Sequence, residues 1–215
     1  MITTNVIQRV FRIFYDGMTA SAYTIEKGDS QYLVSASHVF KSPDVKELQI
    51  FHDGVWKTLP IQVAYNSYKV GDTIVFKLPF DISPRYPVTY GTGGIYLASW
   101  CYFLGFPLGL SMDSGDLNNK FPFPFVKAAL ISALDGTQHG LNVLFLDGHN
   151  NKGFSGGPVV WAPKPGAEYR IIGTVSGYLA EFPTASGTEE AVDLFEVNAG
   201  IIRAYWIKEI FDFIK

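Results

Sequence analysis

The chain is poor in cysteine and in charge, and it has no long apolar run. A single cysteine among 215 residues leaves no internal disulfide, so nothing in the chain demands an oxidising compartment. Charged residues make up 17%, which argues against a disordered or coiled-coil chain. The net charge is −3 and no basic stripe appears, which argues against nucleic-acid binding. No apolar stretch approaches the roughly 18 residues that span a bilayer. The opening segment from Met1 to Arg9 breaks too soon to serve as the apolar part of a signal peptide. These absences predict a soluble, cytoplasmic protein. No His/Cys cluster has metal-ligand spacing and no phosphate-cradling glycine loop follows a strand, so neither a metal nor another cofactor is expected.

What is present points to an all-β protein. Hydrophobic residues make up 47% of the chain, enough for a sizeable core. Twenty-one glycines and twelve prolines punctuate many short Val/Ile/Tyr/Phe runs. Strands are expected over 6–15, 21–26, 31–35, 47–51, 55–63 and 73–78, with turns at Asp16-Gly17, Lys27-Gly28-Asp29 and Asp53-Gly54. Pro79, Pro84 and Pro87 then mark a linker, which divides the chain into residues 1–87 and 88–215. Strands in the second part are expected over 95–104, 125–133, 142–147, 157–162, 169–178 and 191–196. Ile201, Ile202, Tyr205, Trp206, Ile210, Phe211 and Ile214 recur at helical spacing after Asn198, an N-cap residue type, and predict a terminal helix. Residues 111–127 read as a long loop held extended at its end by alternating prolines, either covering apolar surface or binding a partner. Cys101 lies inside an apolar run and reads as a buried, inert thiol.

The segment Gly153-Phe154-Ser155-Gly156-Gly157-Pro158 suits neither a strand nor a helix. It suits a tight turn that displays a hydroxyl, since glycines accept positive φ and let a substrate approach. Such a turn also aims backbone N–H groups, here those of Gly153 and Ser155, at a developing oxyanion. A serine used this way needs a base, and the base needs an orienting carboxylate. His38 follows the strand-like run Gln31–Val34 and small residues that let the chain turn. Asp72 precedes the apolar run 73–78, where a carboxylate is expensive to bury without a hydrogen-bond donor. Each residue alone has a plain structural reading: a satisfied histidine at a strand end, a turn-forming aspartate, an ordinary glycine-rich turn.

Taken together, the order His38, Asp72, Ser155 and the motif around each resembles the chymotrypsin-like serine peptidases, nearest to bacterial HtrA-like trypsin domains without a PDZ segment. Further segments resemble that family: Cys101–Gly109, Ala129–Ala133, Leu146-Asp147 and Ile171–Gly177. The likeness runs from about residue 6 to the end. It implies two six-stranded antiparallel Greek-key β-barrels with a C-terminal helix, and a cleft between them. It implies a Ser155 nucleophile, a His38 base, an Asp72 orienter and a Gly153/Ser155 oxyanion hole. It also implies that Ser176 donates to Asp72, that Ser176, Gly177 and Tyr178 line an extended substrate, and that His149 stands at the base of the specificity pocket. Two departures matter. Ala20-Ser21-Ala22 stands where the family often has Gly-Ser-Gly, and Phe154 replaces the aspartate that digestive members pair with a freed N-terminus. Activation by N-terminal cleavage is therefore not expected, which leaves room for a regulatory protein partner. The activity implied is peptide-bond hydrolysis on protein or peptide substrates. The rivals are a partner-controlled effector of a larger assembly and a peptide-binding module that does not cut.

Overall fold

Two β-sheets follow one another along the chain in a computed structural model that describes residues 2–41, 44–67, 71–136, 142–181 and 196–214. The first contains β1 (Val10–Tyr15), β2 (Met18–Lys27), β3 (Ser30–Ser35), β4 (Glu47–His52), β5 (Val55–Pro60), β6 (Gln62–Asn66) and β7 (Ile74–Lys77). Their antiparallel order is β5-β4-β1-β2-β3-β7-β6. The two edge strands, β5 and β6, are joined by Ile61 alone, so the chain itself links the sheet's edges. They are one bent strand, the run expected over 55–63, and the sheet curls into a barrel around Phe11, Ile13, Leu33, Phe40, Leu48 and Phe76. The hairpin turns fall at Asp16-Gly17 and Asp53-Gly54, where both residues of each pair take positive φ. That is the backbone which matches the twist of paired strands.

The second sheet contains β8 (Thr89–Tyr90), β9 (Trp100–Gly105), β10 (Phe125–Asp135), β11 (Val143–Asp147), β12 (Pro158–Trp161), β13 (Arg170–Glu181) and β14 (Val197–Trp206). Its order is β12-β9-β10-β11-β14-β13-β8, and pairing of β12 with β13 closes the first six of these into a barrel. The short β8 adds to β13 in parallel. Phe103, Ile131, Leu144, Phe154, Trp161, Val175 and Ile202 fill the interior.

A third apolar cluster lies between the sheets. Tyr23, Ile25, Tyr32, Val34 and Val75 meet Leu104, Phe106, Val160 and Ile171 there. Strands β2, β3 and β7 therefore bury both faces, one in their own barrel and one against the neighbour. This is why their burial is continuous rather than alternating.

Several expectations need correction. The terminal helix is short: α2 covers only Lys208–Phe213, while residues 201–206 belong to β14. Asn198 is a strand residue, not a helix cap. Ile202 and Ala204 are fully buried at strand spacing, between β11 and β13. A short apolar run fits both periods, and sheet pairing decided between them. At the other end, Thr4–Ile7 forms a helical turn, α1, ahead of β1. The strand expected from residue 95 begins at Trp100. In the loop at 111–127, Met112 bridges Phe123 and Gly115–Asn118 forms a 3-10 turn, after which the chain enters β10. The strand expected at 191–196 lies almost wholly outside the described residues. Among the described residues no helix is long and apolar enough to cross a membrane.

Candidate active site

A cleft of about 460 Å3 is lined by Ser37, His38, Gly71, Asp72, Asn150, Asn151, Lys152, Ser155, Ser176, Gly177, Tyr178, Glu196, Arg203 and Tyr205. His38 and Asp72 come from the first sheet's connections, and the remaining functional residues from the second. The structure thus brings His38, Asp72, Ser155, Ser176, Gly177 and Tyr178 into one place. Gly153, beside the cleft, shapes the turn that carries Ser155.

His38 sits on the 3-10 turn Ser37–Val39 that ends β3, and Asp72 lies just before β7. Because β3 pairs with β7, the turn after one strand meets the start of the other. Asp72 is almost buried and accepts four hydrogen bonds. Its Oδ1 takes the His38 backbone N–H at 2.8 Å and the Ser37 hydroxyl at 3.0 Å. Its Oδ2 takes His38 Nδ1–H at 2.7 Å and the Ser176 hydroxyl at 2.5 Å. Burial by itself would raise the Asp72 carboxyl. The His38 hydrogen bond and charge, the Ser176 hydroxyl and the His38 N–H together outweigh it and hold the group below its ordinary value. Nδ1 is committed to Asp72, Nε2 makes no hydrogen bond among the described residues, and the His38 side chain is 48% exposed.

The serine turn is clamped on every side. Gly153 has φ +103° and Gly156 φ +84°, and a Cβ at either would lie 2.2 Å from a backbone oxygen, of Phe106 or of Ser21. Both positions therefore require glycine. Phe154, between Gly153 and Ser155, points inward, fully buried and packed edge-on against Phe103. Ser21 holds the turn from outside: its hydroxyl donates to Gly153 O at 2.6 Å and accepts from Phe106 N–H at 2.9 Å. Its own N–H donates to Ser155 O at 2.9 Å. The Gly153 and Ser155 N–H groups donate to no acceptor among the described residues. The Ser155 hydroxyl donates to Ser176 O at 3.0 Å.

His149 departs from expectation. It is exposed and does not line the cleft, and its carbonyl accepts a hydrogen bond from Lys127 Nζ. Its neighbour Asn150 is the buried residue on the cleft wall. Asn150 O accepts from Asn198 Nδ2 at 2.7 Å, which ties the wall to β14. Tyr178 hydrogen-bonds Glu196, which raises the phenol's pKa together with burial and the nearby charge. Lys152, Glu196, Arg203 and Tyr205 were not anticipated; Arg203 and Tyr205 fell in a stretch read as helix, whereas strand alternation with Ile202 and Ala204 would have put them on one face. Cys101 is buried, away from the cleft, and burial pushes its thiol up to about 12. Among the described residues no group of histidine, cysteine and carboxylate side chains could hold a metal.

Neither a family model nor a curated protein matches the sequence. Solved structures do match. The HtrA-type protease AlgW, bound to a tripeptide, superposes with a TM-score of 0.64 at 20% identity over 96% of this chain and 59% of AlgW. The Rv3671c protease of M. tuberculosis H37Rv, as an inactive serine-to-alanine mutant, gives 0.62 at 14% identity, covering 97% of this chain and 86% of that one. A serine endoprotease from Yersinia pestis gives 0.60 at 16% identity, with 96% and 61% covered. The chain spans about three fifths of AlgW and of the Yersinia enzyme. In fold this chain is similar to the chymotrypsin-like serine proteases, and its solved neighbours include HtrA-type members.

Proposed function

We propose that this chain is a serine endopeptidase working through a covalent acyl-enzyme. The observation that carries the reading is the four-donor seat of Asp72, which holds the His38 ring at 2.7 Å in a cleft shared with Ser155. Ser155 rotates toward His38, loses its proton to Nε2 and attacks a peptide carbonyl. Asp72 fixes the ring's tautomer and stabilises the imidazolium. The oxyanion forms against the free N–H groups of Gly153 and Ser155. The imidazolium returns its proton to the leaving amine, and water then cleaves the ester by the same relay. Ser176, Gly177 and Tyr178, at the cleft edge of β13, take the substrate as an added extended strand.

The test is labelling by a fluorophosphonate probe together with peptide hydrolysis. Ser155→Ala is expected to abolish labelling and to lower kcat by about 10^4-fold or more with an unchanged melting temperature. His38→Ala is expected to lose labelling while Ser155 stays in place. A chain that never labels, alone or with added peptide, would instead be a binding module on this fold.

A further inference from the structure

We propose that Arg203 makes this cleft selective for an acidic side chain, aspartate or glutamate, on the residue whose carbonyl Ser155 attacks. This deepens the peptidase reading and rests on it for the word substrate, though not for the site itself.

The position of Arg203 follows from strand geometry. Ile202 and Ala204 are fully buried in the barrel, so Arg203 and Tyr205 face the other way, and both line the cleft. Arg203 pairs with Gly177 of β13, one residue beyond the Ser176 carbonyl that holds the Ser155 hydroxyl. Paired residues present their side chains on the same face. At Gly177 there is none, and a Cβ placed there would meet nothing within 4 Å. Its φ is not in the left-handed range, so the backbone does not demand glycine there. The missing side chain leaves open space between the nucleophile's neighbourhood and the guanidinium.

Among the described residues the guanidinium has no hydrogen-bonded carboxylate partner. Arg203 is half-buried and its Nε is buried with no hydrogen-bond partner among those residues. The Tyr205 ring lies 6.0 Å from its centre. The cleft's own carboxylates are otherwise engaged, Asp72 by its four donors and Glu196 by the Tyr178 hydroxyl. Lys152, which also lines the cleft, adds a second positive charge. A partly desolvated guanidinium without a partner is unfavourable, and its planar fork matches a carboxylate in two-point contact. A carboxylate side chain arriving over Gly177 supplies that partner, whereas a lysine or arginine would meet like charge.

The test compares otherwise identical hexapeptides carrying Glu, Asp, Gln or Leu at one position. Binding is measured by calorimetry on the Ser155→Ala protein, and cleavage on the wild type. The acidic peptides are expected to bind, and to show kcat/KM, roughly 10- to 100-fold above the Gln peptide, the range of a hydrogen-bonded charge. Arg203→Met is expected to erase that ratio, and Arg203→Lys to keep part of it. Equal binding of the Glu and Gln peptides by the protein with Arg203 intact overturns the proposal, as does a preference that survives in a folded Arg203→Met variant. Should that variant fail to fold, the ratio for the intact protein and for Arg203→Lys decides. Fluorophosphonate labelling of Ser155 is read in parallel. Selective binding without labelling upholds the Arg203 site and removes the peptidase reading; labelling without acidic selectivity does the reverse.

Discussion

Ser21 shows how much of the site rests on a residue outside it. Its hydroxyl joins Gly153 O and Phe106 N–H, and its removal leaves both buried backbone groups unsatisfied. Ser21→Ala is expected to destabilise the protein by about 1–3 kcal/mol. It should also slow fluorophosphonate labelling, because the turn presenting Ser155 is no longer pinned. An unchanged labelling rate would show that Gly153 and Gly156 hold the turn unaided. Asp72 gives a pH-dependent counterpart. Its folded-state carboxyl is held below the ordinary value, so it contributes stability above the unfolded pKa, about 4, and that contribution is lost as pH falls through the lower folded value. Asp72→Asn is therefore expected to lower the melting temperature at neutral pH, with the gap to wild type narrowing on acidification below about pH 4. A gap constant from pH 7 to pH 2 would contradict the assignment. At this scale the residue types were readable: Ser155 from its glycines, His38 from the strand before it, Asp72 from the strand after it. His149 was misplaced because one step along a chain decides whether a side chain faces a cleft or solvent, and Asn150 took the inward place.

Elements were readable where a turn enforces them. Asp16-Gly17 and Asp53-Gly54 announced their hairpins because few other residue pairs accept two positive φ angles in succession. The C-terminal segment was not readable in the same way. Ile201, Ile202, Tyr205 and Trp206 suit either period, and β14 exists because β11 and β13 offer it two ladders. Only the last turn and a half is helical, and α2 is held by Ile210 and, just beyond it, Ile214, both buried in the cluster between the sheets. Six residues cannot sustain a helix in water, so its order comes from that packing. Ile210→Ala is expected to cost about 2–5 kcal/mol in denaturant unfolding, the range for a large-to-small change in a core. A change under about 0.5 kcal/mol, typical of a surface site, would mean that the helix does not dock as described.

On the scale of the whole molecule, the cleft exists because two sheets meet, with connections carrying His38 and Asp72 on one and Ser155 on the other. The apolar cluster between them supplies the adhesion, and a buried hydrogen bond of 2.7 Å between the Tyr23 and Thr174 hydroxyls gives it direction. Burial pushes the Tyr23 phenol well above the ordinary tyrosine range, so it remains neutral throughout the working pH range. Tyr23→Phe keeps the ring and strands the Thr174 hydroxyl, at an expected 1–3 kcal/mol, roughly, in unfolding free energy. Since the bond spans the two sheets, peptide hydrolysis should fall in kcat more than it rises in KM. A KM effect alone would mean that the sheets keep their alignment without it.

The amino-acid order alone determined the all-β character, the hairpin turns and the chemistry-bearing residue types, because backbone permissiveness and hydrophobic alternation act within a few neighbours. Tertiary contact decided the strand at 197–206, the side chain that faces the cleft at 149–150 and the place of Arg203 on the cleft wall, its Nε buried without a partner among the described residues. Those outcomes turn on pairing between segments far apart in the chain, and a ladder partner has no local signature.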